Sequence, residues 1–100
     1  MENINHENIM LYLSEMYKTK LVKVNEKKNS SKNYLIDSDE EFIRYIDTMV
    51  SLLPLESERI IRNDYLQERN VKWWQEFHTK STYYRRKHEA VKLFVDCLSL

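Results

Sequence analysis

The chain has 100 residues, 42% of them apolar and 32% charged, and its 16 Lys and Arg balance its 16 Asp and Glu at a formal net charge of zero. That length and composition describe one globular domain with one core, and exclude both a disordered chain and a division into two domains. Glycine is absent and proline occurs once, at Pro54, so turns needing positive φ must use asparagine or be avoided, which favours helices. The lack of glycine also excludes the P-loop and the dinucleotide fingerprint, both of which need close backbone approach to phosphate, and no cofactor is expected. A single cysteine, Cys97, cannot form an internal disulfide, fits a reducing compartment, and reads as a small buried hydrophobe. The apolar runs are short and Met1 to Asn8 is polar, without the pattern of a signal peptide, so a cytoplasmic protein with no membrane partner is expected.

Ile9, Tyr12, Leu13, Met16 and Tyr17 recur at helical spacing behind Asn5 as N-cap, which predicts a first helix over residues 6 to 19. Leu21 to Val24 then alternates apolar and polar, Glu26 to Asn33 is polar, and Tyr34 to Ile36 is apolar. This reads as a short β-hairpin over 21–36 with a long loop, or as an irregular lysine-rich connection. Ser38 and Glu41 form a capping box that opens a second helix, with Phe42, Ile43, Ile46, Met49, Val50 and Leu53 as its apolar stripe. Pro54 suits the first turn of a third helix, whose buried side is assigned to Leu55, Ile60, Ile61, Tyr65 and Leu66, with a break over residues 67–70. Val71, Trp73, Trp74 and Phe77 predict a short aromatic helix, and Ser81 the N-cap of a long final one. At 100° per residue the last helix gathers Tyr83, Ala90, Val91, Phe94, Cys97 and Leu98 on one face and turns Thr82, Arg85, Glu89 and Lys92 the other way. The expected fold class is all-α, a small domain of about five helices ending in a helix-turn-helix-like pair over residues 53–98.

The charge is unevenly placed. Residues 1–50 carry 7 Lys and Arg against 9 acids, and residues 51–100 carry 9 against 7, with Lys80, Arg85, Arg86, Lys87 and Lys92 facing only Glu89 between positions 80 and 92. No Ser, Cys, His and acid recur at spacings that would join a nucleophile to a base, and His6, His78 and His88 lack partners at zinc-like spacing. No enzymatic or metal function is therefore expected. Helix, short helix, tight turn and long helix is instead the layout of a helix-turn-helix, in which the short element props the long one and its outward N-terminal residues reach the major groove. Ser81, Thr82, Arg85, Arg86 and Lys92 are the candidates for phosphate or base contacts. Two adjacent tryptophans cannot both face one core, so Trp74, with Tyr84, is the candidate partner-binding surface, while Trp73 and Tyr83 are assigned to packing.

Leu53-Pro54 with Glu56, Glu58, Arg59, Ile60 and Ile61, followed by Ser81-Thr82-Tyr83-Tyr84-Arg85-Arg86 and Ala90, resembles the helix-turn-helix of sigma-factor region 4, and more strongly that of ArpU-type phage transcription activators. The resemblance spans residues 53–95 and implies a DNA-binding recognition helix that opens at Ser81. The Trp-Trp and Ser-Thr-Tyr-Tyr-Arg-Arg-Lys pattern is also similar to small helical proteins of mollicutes, a likeness that implies fold and no activity. Two departures stand out: Trp73 or Trp74 occupies the place of a small residue in the supporting helix, and Phe77-His78 replaces the turn glycine. The expectation is a small transcription-associated regulator that binds duplex DNA as a dimer. The alternative is a non-enzymatic interaction protein or homo-oligomer on a vestigial form of the same fold.

Overall fold

The computed structural model describes residues 5–30, 37–67 and 72–98. Four α-helices account for most of them: α1 (His6–Ser30), α2 (Ser38–Ser51), α3 (Leu55–Ile61) and α4 (Lys80–Cys97). A π-helical turn, Arg62–Leu66, continues α3, and a single 3-10 turn, Trp73–Glu76, precedes α4. The fold is all-α, with no strand among the described residues. The fifth helix expected around the tryptophans is only that 3-10 turn. No helix among the described residues is long and apolar enough to cross a membrane.

The first helix does not stop at residue 19. Its buried side, Met10, Leu13, Tyr17 and Val24, with Leu21 partly buried, keeps three- and four-residue spacing past Tyr17, and the segment 21–30 expected in a hairpin is helical. Residues 31–36 of that expected hairpin lie outside the described residues. The extra turns of α1 serve the start of α2. Lys20 Nζ lies 2.8 Å from Asp39, Lys27 bonds Asp37, and Lys28 lies 3.4 Å from Glu40, so lysines of α1 meet carboxylates at the positive end of α2. Asp37 rather than Ser38 is the N-cap, accepting from the Glu40 amide at 3.1 Å, one residue before the expected capping box.

The core runs through all four helices. Met10, Ile46, Val50, Ile60, Ile61 and Phe94 are its largest fully buried side chains, with Tyr65, Leu66, Ala90, Val91, Val95 and Leu98 around them. Two polar ties lock the middle of this core. Tyr17 donates to Asp47 of α2 at 2.9 Å, and Arg62 reaches the same carboxylate at 3.4 Å while pairing with Glu58 at 2.9 Å. Burial, then the bond to Asp47, pushes the Tyr17 phenol up to about 12. The Tyr65 hydroxyl donates to Glu7 at 2.8 Å, closing the N-terminal end of α1 over the π turn, and burial raises this phenol further still. Two core assignments are corrected. Leu55, the first residue of α3, is 73% exposed because only Ile60 and Ile61 of that short helix turn inward. Cys97 is exposed, and Val95 takes its place on the buried face of α4.

Candidate nucleic-acid interface

Asp64 ties the N-terminal half of α4 to the aromatic turn and to the end of α3. The π turn closes with a bond from the Gln67 amide to the Arg62 carbonyl at 3.0 Å, widening the backbone where Asp64 and Tyr65 leave it in different directions. Tyr65 goes to α1, and Asp64 goes to the aromatic turn and α4. The Asp64 side chain, 9% exposed, accepts from Trp73 Nε1 at 2.7 Å and from the Tyr83 hydroxyl, with the Lys87 ammonium 3.7 Å away. Lys87 also lies over the Tyr65 ring at 5.1 Å, so its charge is held between the carboxylate and an aromatic face.

Around that anchor the rings pack closely. Tyr83, 3% exposed, stacks on Trp74 at 4.4 Å between centroids and 9° between planes, and meets Trp73 edge-on at 6.2 Å. Trp73 and Tyr83 thus pack as the sequence indicates, and both tryptophans are half-buried. The turn is fixed to α3 from the other side by Glu56, which lies 3.3 Å from His78 and 3.7 Å from Arg86, and by Arg59, stacked over Phe77 at 5.2 Å. The two departures noted in the sequence coincide with this turn. Among the described residues this segment is one 3-10 turn, packed by rings and by the Asp64 carboxylate.

The helix start is also displaced. Thr79, not Ser81, is the N-cap, its Oγ1 accepting from the Thr82 amide at 3.4 Å, so Ser81 is already helical and its exposed hydroxyl is not used for capping. Ser81, Arg85 and Lys92 fall on one outward stripe of α4, which the structure leaves exposed. Thr82 is half-buried, and Arg86 turns toward Glu56 of α3 rather than joining the stripe. Lys92 pairs with Asp96 at 2.8 Å, and Asp96 also accepts from His6 at 2.9 Å. Lys92, then His6, holds the Asp96 carboxyl below the usual carboxylate range. Of the five residues assigned to nucleic acid, Ser81 and Arg85 stand clear of internal ion pairs among the described residues, while Arg86 and Lys92 are engaged.

The two residues assigned to a partner separate in the same way. One face of Trp74 is covered by Tyr83, whereas Tyr84 is 53% exposed. The sequence did not reveal a groove beneath the start of α4, walled by α1, the π turn and the aromatic turn. Lys18 lies on α1, more than forty residues before the other lysines that line this groove, and no local pattern joins them. Comparison of the chain with protein-family models, with curated proteins and with solved structures gives no match.

Proposed function

We propose that this protein is a small cytoplasmic, transcription-associated regulator of helix-turn-helix type that binds duplex DNA through the outward N-terminal stripe of α4. The observation that carries the reading is the mounting of that stripe. Ser81 and Arg85 are exposed on a helix whose other faces are held by Tyr83 on Asp64 and by the Arg86–Glu56 contact, so an arginine and a hydroxyl are offered at the end of a braced helix. An arginine in this position pairs with guanine edges or with phosphate, and a serine hydroxyl with either. Lys92, two to three turns further on, extends the stripe toward the flanking phosphates once its pairing with Asp96 exchanges for one with DNA. One such helix covers little duplex, so the reading includes a dimer on two half-sites. No catalytic or metal group enters it.

A second reading has its own observation. Leu52 and Leu55 at the α2–α3 junction, and Phe77 beside the aromatic turn, are all more than half exposed, and among the described residues the element before α4 is a single 3-10 turn. Those features favour a homo-oligomer or interaction protein on a vestigial helix-turn-helix fold, with Tyr84 and Trp74 in the contact. Binding of labelled duplex across a salt series separates the two. The first reading expects affinity that falls steeply with salt and is lost in Arg85→Ala/Arg86→Ala; the second expects no duplex binding at low salt and self-association that salt leaves unchanged.

A further inference from the structure

We infer that the groove beneath the start of α4 is a binding site for a nucleotide-like polyanion, with the phosphates on lysine ammoniums and the base against Tyr84. The groove encloses about 790 Å³, within the size range of sites for small organic ligands. Among the described residues that line it are four lysines, Lys18, Lys72, Lys80 and Lys87, and one acid, Asp64, a basic excess on a chain whose net charge is zero. Asp64 does not offset the other lysines, because it is already committed to Trp73, Tyr83 and Lys87. Lys18 and Lys80 have no ion pair among the described residues. They approach from two elements, α1 and α4, which is how a site grips a compact polyanion from both sides.

The other lining groups select the rest of the ligand. Tyr84 is half exposed at the rim, tilted at 62° to Tyr83, so its free face is available for stacking a planar base. Gln67 brings an exposed side-chain amide, which donates and accepts and so matches the mixed edge of a nucleobase. Phosphate capture by lysine needs no glycine, so a chain without a glycine-rich phosphate loop can still bind in this way. Duplex DNA does not fit the site, because its phosphates lie on a rigid convex ridge that cannot follow the lysines inward. The chemistry required, adjacent phosphates bearing a base, belongs equally to a free nucleotide and to a flexible single strand. The inference is independent of duplex binding by the outward stripe.

The test is calorimetric titration of the full chain with ATP, GTP, inorganic triphosphate, adenosine and a ten-nucleotide oligothymidylate at low salt, with helicity checked by circular dichroism. ATP or GTP binding without oligothymidylate binding assigns a free nucleotide, and the reverse assigns a single strand. Either result supports the site if Lys18→Gln/Lys80→Gln weakens binding about tenfold or more, Tyr84→Ala weakens it about fivefold, and Lys23→Gln on the exposed side of α1 leaves it unchanged. Absence of binding by every phosphate-bearing probe overturns the proposal. So does equal affinity of wild type and the folded lysine variant, or triphosphate binding as tightly as the nucleotides.

Discussion

Replacing Asp64 by alanine removes the acceptor on which the aromatic turn and α4 both depend. Two donors lose their partner, Trp73 Nε1 at 2.7 Å and the Tyr83 hydroxyl, and Lys87 loses its counter-charge. Hydrogen bonds to a charged group contribute about 1.5–3 kcal/mol each, and a buried donor left unpaired costs about 1–3 kcal/mol. Trp73 is half-buried, so water replaces part of its bond, whereas Tyr83 is almost sealed and bears the full penalty. The expected loss is about 3 kcal/mol, which lowers the melting temperature of a chain this size by roughly 12–24 °C. Asp64→Asn keeps one acceptor oxygen and loses about half as much. Urea unfolding followed by tryptophan fluorescence and by circular dichroism measures both variants, since the two indoles lie within the perturbed cluster. An Asp64→Ala midpoint that corresponds to less than about 0.5 kcal/mol of destabilisation would refute the anchoring role. So would an additive Asp64→Ala/Tyr83→Phe double variant, because residues sharing a bond couple by at least about 0.5 kcal/mol.

Phe94→Ala, at a fully buried site, should cost about 3–5 kcal/mol in the same unfolding assay, and Leu93→Ala, one residue away on the partly exposed side, should stay within about 1 kcal/mol of wild type. At alkaline pH, Tyr17 sets a window: its folded value is raised from 10.0 to about 12, so its contribution is complete below pH 10 and is lost as pH rises through 12. Tyr17→Phe should flatten that part of the stability profile. On the acid side, Lys27 and the α2 amides lower the Asp37 carboxyl, and Lys20 lowers that of Asp39. Their contribution is present above the ordinary carboxylate range and disappears as pH falls through the depressed folded values. Helicity should therefore decline in acid at a higher pH in Asp37→Ala than in wild type, where the N-cap and the α1–α2 lysine contacts are intact.

The parts of the fold that local chemistry decides were legible in the sequence. Asn5 caps α1 as its position suggests, with its Oδ1 accepting from the Asn8 amide at 3.0 Å; Ile43, Ile46, Val50 and Leu53 of the α2 stripe and most of that of α4 are buried as their periodicity indicates, with Phe42 and Met49 partly so. The errors arose where two patterns compete. Leu21-Val22-Lys23-Val24 satisfies strand alternation, yet Tyr17, Leu21 and Val24 also continue a helical stripe, and α2 supplies the surface that buries it. Capping residues in clusters were similarly ambiguous: Asp37 precedes Ser38, Thr79 precedes Ser81, and both caps form at the earlier residue. Residue type and its angle with Tyr83 and Phe94 assign Cys97 to the buried face, but that face is centred nearer Val91 and Val95, which leaves Cys97 in solvent.

The candidate interface was legible only in outline. The order Ser81, Arg85, Lys92 on one face follows from helical geometry; adjacency implies that the two tryptophans are not both sealed in one core, and the structure half-buries both instead of packing Trp73 and exposing Trp74. Which charges are already engaged does not follow. The pairing of Arg86 with Glu56, and of His6 with Asp96, depends on how α3 and α1 lie against α4, whereas Lys92 and Asp96 are an i,i+4 pair within α4 that helical spacing alone allows. Asp64 was invisible for the same reason. It is one acid among 16 in the sequence, and only the π turn gives it its direction.

The most direct measurement of the central claim is an amide-resolved nuclear magnetic resonance titration of the protein with short duplex DNA at low salt. The account predicts that the perturbed amides cluster from Lys80 to Lys92, that the Arg85 side-chain signal shifts with them, and that the changes reverse when salt is added. Unchanged spectra at low salt, or shifts confined to the surface around Leu52, Leu55 and Phe77, would contradict it.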